Sequence, residues 1–167
     1  IVGLSRVELS SNGWLHYPAL SRLAQVAPLA MTEQVFLTRC KSIHELWQRI
    51  PNGLVRDLLV KAGHARKDVK DLGSLKLVQA LSNIVGRLNS DGQQVDAFGS
   101  NPDPNDLTAR NAALTSLFVN YDLRIADAHD AGGVLSGLEA LGFDIAGVNQ
   151  GYGRALDHVF NSVISGF

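Results

Sequence analysis

From Pro18 onward, apolar side chains recur at three- and four-residue spacing, and proline, glycine or a polar cap residue separates one run from the next. That spacing places apolar groups on one side of a 3.6-residue helix, whereas a half-buried strand needs strict alternation. The clearest stripe follows Ser74: Leu75, Leu77, Val78, Leu81, Ile84, Val85 and Leu88. Another, Leu54, Val55, Leu58 and Leu59, precedes Gly63, which suits a C-terminal cap. Pro18 and Pro28 fit first helical turns, giving predicted helices over about 18–27 and 28–40. Ser42-Ile43-His44-Glu45 has the form of a capping box and predicts a new helix over about 43–50, stopped by Pro51. After a loop of Asp, Asn, Gly and Pro near 90–105, the longest helix is predicted over about 106–130, from Asp106 to Gly132-Gly133. A short helix over about 134–141 and a last one from about Asn149 complete the series. Residues 1–13, with β-branched residues and a Ser-Ser-Asn-Gly turn signal, read as a short extended N-terminal arm or a short strand. Helices joined by short loops predict an all-α antiparallel bundle.

A chain of 167 residues, 46% hydrophobic and 19% charged, has the composition of a folded domain. A formal net charge of −1 gives no global field to draw in nucleic acid or an anionic membrane, so any nucleic-acid contact must be local. No apolar run is long enough for a membrane span. The single cysteine, Cys40, excludes an internal disulfide and fits a reducing, cytoplasmic setting. The chain starts without Met and stops inside an apparent helix, as a piece of a longer protein with further domains, or a proteolytically trimmed one, would.

The predicted long helix carries the best functional lead. On a wheel, Leu107, Asn111, Leu114, Phe118, Tyr121 and Ile125 share one stripe, bordered by Leu117 and Ala128. Arg124 falls at one edge and His129 at the other, roughly 140° apart. A solvated face would put both opposite the stripe. Asp127, three residues after Arg124, is placed to form a helix salt bridge with it.

An Arg and a His separated by four residues near the end of a long helix (ARNAALTSLFVNYDLRIADAHD), followed by a short connector and a last amphipathic helix (GYGRALDHVFNSVISGF), resemble the HEPN superfamily of helical domains. The resemblance covers about residues 74–167 and leaves 1–73 as a helical segment or appendage. It implies metal-independent endoribonuclease activity, or RNA sensing within a defence or stress protein, with two copies pairing so that their motifs share a cleft. Arg124 and His129 would then be catalytic: the guanidinium stabilises charge on phosphate oxygens, and the imidazole moves a proton near neutrality. No metal or cofactor enters such chemistry. In active families a small polar residue often follows the Arg, and here Ile125 stands in that place.

Tyr152 and His158 on the last helix are supporting candidates, since neighbouring helices of a bundle can bring them to the motif. The other histidines lack metal-ligand spacing. Gly147-Val148-Asn149-Gln150-Gly151-Tyr152-Gly153 has neither the strand nor the Lys-Ser/Thr of a phosphate-cradling loop, and predicts a helix start that packs closely on a neighbour. Lys61, His64, Arg66, Lys67 and Lys70 make one basic stretch, diluted by Asp68 and Asp71. The rival to the ribonuclease reading is a non-catalytic helical domain for homodimerisation or partner binding, in which Arg124 and His129 serve an interface.

Overall fold

A computed structural model describes residues 27–92, 98–99, 102–126 and 131–166. Those residues are all-helical and contain no strand. The predicted extended arm and the helix over 18–27 lie outside them, apart from Ala27. Eight α-helices are described: α1 (Glu33–Trp47), α2 (Asn52–Lys61), α3 (Arg66–Val69), α4 (Ser74–Ser90), α5 (Asn105–Thr108), α6 (Thr115–Ala126), α7 (Ala131–Ala140) and α8 (Gly153–Ser165). Two 3₁₀ segments, Ala112–Leu114 and Ile145–Gln150, precede α6 and α8. None of the described helices is long and apolar enough to cross a membrane.

The chain divides into two compact units. Residues 50–115 form one unit; the other draws on both flanks, up to Arg49 and from Ser116 onward. In the central unit, Val55, Leu59 and Ala62 of α2 and its end pack with Val69 and with Leu77, Ala80, Ile84 and Leu88 of α4. The two sequence stripes thus meet each other, apart from Val85, which is exposed. Gly63 closes α2 with a φ of 99°, and the His64 amide reaches back to the Leu59 carbonyl, as a glycine-terminated helix requires. Ser74 is the first helical residue of α4, and Gly73 occupies the N-cap.

The helix predicted over 106–130 is broken. α5 ends at Thr108, the backbone is extended at Ala109 and Asn111, and helix resumes as α6. The cause is a polar ladder on α4 at four-residue spacing. Asn83 donates to the carbonyls of Asp106 and Ala109 (3.0 and 2.9 Å) and accepts from Asn111 Nδ2 (3.0 Å), while the Asn111 amide donates to Gln79 (3.3 Å). One rung on, Arg87 holds the Asp106 carboxylate with Nε and Nη2 at 3.1 and 2.8 Å. Backbone groups that a continuous helix would use internally are taken up by these side chains.

In the flanking unit, Thr32 rather than Pro28 starts α1, its side chain accepting from the Val35 amide. The predicted break at Ser42 does not occur. The Ser42 hydroxyl donates to the Thr38 carbonyl one turn back, the bond a serine makes inside a helix, and α1 runs on to Trp47. Pro51 precedes α2 as its N-cap. Gly132 and Gly133 lie within α7, which ends before Gly142 at a φ of 80°. Leu156, Val159 and Val163 of α8 are buried, and α8 packs on α1, where Phe36, Leu37, Cys40 and Ile43 are buried.

Gly151 and Gly153 carry the close approach predicted for the glycine-rich segment. Tyr152 and Gly153 amides donate to the Met31 and Leu29 carbonyls at 2.8 and 3.4 Å. A Cβ on Gly151 would overlap the Leu29 carbonyl, and one on Gly153 the Pro28 carbonyl. Pro28–Ala30 therefore fill the space that side chains would need.

Candidate functional site

The buried face of α6 is Ser116, Leu117, Asn120 and Leu123. The predicted stripe was different: Phe118 is half-buried, Tyr121 is 36% exposed and Ile125 is 45% exposed. The prediction counted from Leu107 across the break at 109–111, and a break resets the helical phase. The buried face is accordingly rotated by about one residue, or 100°. Asn120 is buried because its amide donates to the Cys40 carbonyl on α1 at 3.2 Å.

Arg124 lies one turn beyond Asn120 and two beyond Leu117, so it continues the buried face at its end and is itself half-buried. Its guanidinium carbon sits 4.9 Å from the centroid of the Tyr121 ring, a cation–π contact at i, i+3. Tyr121 in turn meets His44 edge-on, with ring centroids 5.1 Å apart. His44 is in the last turn of α1, not at a helix start as the capping-box reading had it, and is only 5% exposed. Burial lowers its pKa and the charge of Arg124 lowers it further, against a smaller opposing pull from Glu45. Its ring is therefore neutral at neutral pH. The Nδ1 atom is buried without a hydrogen-bond partner among the described residues.

Arg124 forms no ion pair with a described carboxylate. Asp127 and His129 lie outside the described residues. What the fold assembles around Arg124 is a half-buried cation on an aromatic ring beside a neutral imidazole. Such a group can receive an anion, because the cation is fixed in direction and only part of its charge is met by water.

The supporting candidates are placed elsewhere in the flanking unit. The Tyr152 hydroxyl donates to Glu33 Oε2 at 2.6 Å and its ring lies 5.3 Å from that of Phe36. Burial, then the Glu33 carboxylate, pushes this phenol up to about 12. Glu33 opens α1 and His44 is near its end, about eleven residues and roughly 16 Å of helical rise away. Tyr152 is thus a strut at the far end of α1 from Arg124. His158 Nε2 lies 2.9 Å from the Leu141 carbonyl, to which it donates, and its ring packs on Phe143. That bond satisfies a carbonyl just past the end of α7.

The basic stretch is partly neutralised. Arg66 pairs with Asp57 at 2.8 Å, Lys70 lies 3.8 Å from Asp71, and His64 is buried with Nε2 3.4 Å from Asp106. Among the described residues no group of three or more His, Cys, Asp or Glu could hold a metal. Burial raises the Cys40 thiol far above its ordinary range, which leaves it in the unreactive protonated form.

The sequence singles out Arg124 but does not show that Tyr121 and His44 are its neighbours. The available signal was the Cys40–His44 spacing, which puts both residues on one face of α1, but nothing local joins that face to α6. Against protein-family models, curated proteins and solved structures, the chain finds no match.

Proposed function

We propose that the flanking unit binds RNA through its phosphodiester backbone at Arg124 and, as a HEPN-like domain, cleaves it without a metal. The supporting observation is the setting of Arg124: half-buried, stacked on Tyr121 and unpaired with any described carboxylate. In this reading Arg124 stabilises charge on the phosphate oxygens and His129 carries the proton transfer. The 2′-oxygen attacks phosphorus as its proton leaves, the bond to the 5′-oxygen breaks, and that oxygen is protonated. The products are a cyclic phosphate and a 5′-hydroxyl.

The test is cleavage of single-stranded RNA by the full chain in excess chelator, beside Arg124→Ala and His129→Ala. The expected result is chelator-resistant cleavage that falls about 10²–10⁴-fold in His129→Ala. Wild-type rates in His129→Ala, or activity that needs added magnesium, would end the catalytic reading.

A second reading has an observation of its own. Tyr121 and Ile125 are exposed, with Phe118 half-buried on the same side of α6. That outward apolar side suits a homodimer or other partner contact, and two-fold pairing is the commonest arrangement for such a surface. Sedimentation of Ile125→Asp beside the parent separates the readings. A dimer lost in the variant, with no RNA cleavage by the parent, favours a non-catalytic interaction domain.

A further inference from the structure

In the sequence His44 is only an interior position of an apparent capping box, yet the fold joins it to Arg124 through one ring. α1 brings it from the chain before residue 50, α6 brings Arg124 from beyond residue 115, and Tyr121 touches both at 5.1 and 4.9 Å. Its buried Nδ1 lacks a hydrogen-bond partner among the described residues, although buried polar atoms are normally satisfied.

We propose that His44 is the proton-accepting half of the phosphate site at Arg124, so that a bound phosphodiester and a proton on His44 are taken up together. The inference rests on the reading of Arg124 as a phosphate-binding residue. The charges that act on His44 are Arg124 from α6 and, more weakly, Glu45 from its own helix; Tyr121 meets its ring, and Cys40, one turn back on the same face of α1, stays a neutral thiol. In the free fold, burial and the Arg124 charge both hold the imidazolium back. A phosphate oxygen on the guanidinium cancels the second of these and brings a negative charge toward the ring. Arg124 itself stays charged throughout the neutral range. Proton affinity and anion affinity are therefore linked. Each tenfold gain in His44 proton affinity on binding appears as up to a tenfold tightening of the phosphodiester as pH falls.

The experiment uses the full chain and a short oligothymidylate, which RNA-type cleavage cannot consume and which does not titrate near neutrality. The His44 imidazole is followed by nitrogen-15 NMR across pH with and without the oligonucleotide, and affinity is measured over the same range. The expected result is an upward move of the His44 midpoint on binding and tighter binding in mild acid. Arg124→Gln should abolish both effects, and His44→Gln should flatten the pH dependence. Binding that depends on Arg124 but leaves the His44 midpoint unmoved would overturn this inference and spare the phosphate site. Absence of Arg124-dependent binding would overturn the underlying reading and this one with it. The titration of the parent chain decides the matter even where His44→Gln folds poorly.

Discussion

Replacing Arg87 with methionine removes the guanidinium fork from a carboxylate whose side chain is 4% exposed, while keeping an apolar stem. Asp106 would retain the Asp103 amide at 3.2 Å and the nearby His64, so it would be undersupplied rather than bare. Stripping one partner from a buried ion pair typically costs about 3–5 kcal/mol. With one backbone donor remaining, the lower end, about 3 kcal/mol, is expected. Asp106→Asn should cost less, about 1.5–3 kcal/mol, because the Arg87 side chain is 24% exposed and can turn toward water. The double variant should be milder than the sum by about 2 kcal/mol, the coupling of groups in direct contact.

The pH dependence supplies an independent sign. Burial alone would raise the Asp106 carboxyl, but the Arg87 hydrogen bond, the Asp103 amide and the charges of Arg87 and His64 outweigh it and hold it below the usual carboxylate range. A depressed carboxylate contributes stability that is complete above the unfolded value and is lost as pH falls through the folded one. In Arg87→Met the burial persists while the largest opposing cause is gone, so the carboxyl moves up. The stability that the carboxylate adds as pH rises is then smaller than in the parent. The gap between parent and variant should therefore widen from acid toward neutrality. The assay is urea denaturation by circular dichroism at several pH values, with amide exchange at Asp103 as a local probe. A coupling below about 0.5 kcal/mol, or a gap that does not change with pH, would refute the role given to this pair.

Three further outcomes are expected. Leu123→Ala should destabilise by about 2–5 kcal/mol and Ile125→Ala by no more than about 0.5 kcal/mol, measured by denaturation; the reverse order would restore the face predicted from Leu107. Gly151→Ala, at a φ of 111°, should cost about 1–3 kcal/mol from backbone strain alone and lower the melting temperature further by displacing Leu29 and Ala30; an unchanged melting temperature would dismiss the close approach. Cys40, buried and with its thiol pushed up, should resist a thiol-labelling reagent in the native protein and react at once in denaturant; fast native labelling would contradict its placement.

The helices with dense one-sided stripes were legible in the sequence because the stripe does the same work in the structure. Leu59 of α2 meets Leu77 and Ile84 of α4, and a period of 3.6 suffices to find them. The misreadings have two causes: a polar side chain that bonds within its own helix, and polar side chains whose partners lie far along the chain. Ser42 was read as a cap because its bond to Thr38 is invisible in composition. Gln79, Asn83 and Arg87 resemble a solvated face of α4, yet they hold the segment around Asp106 to Asn111 and break the helix predicted through it. Of the candidate site, Arg124 was legible because its motif is local. His44 was not, because the α1–α6 pairing spans distances such as the 80 residues between Cys40 and Asn120.

A unit assembled from two separated stretches of chain sets a schedule for the nascent protein. α1 leaves the ribosome with Phe36 and Ile43 ready for burial, but α6, α7 and α8 are still unwritten. The central unit, by contrast, has its partners close in sequence and can form its core as soon as residue 115 is available, since local contacts form ahead of distant ones. At about 5–20 residues per second, the apolar side of α1 waits several seconds for its complement. During that interval it is a surface for chaperones or for another nascent copy. Slowing translation between residues 50 and 115 should therefore lower the soluble yield more than the same pause placed after Ser165.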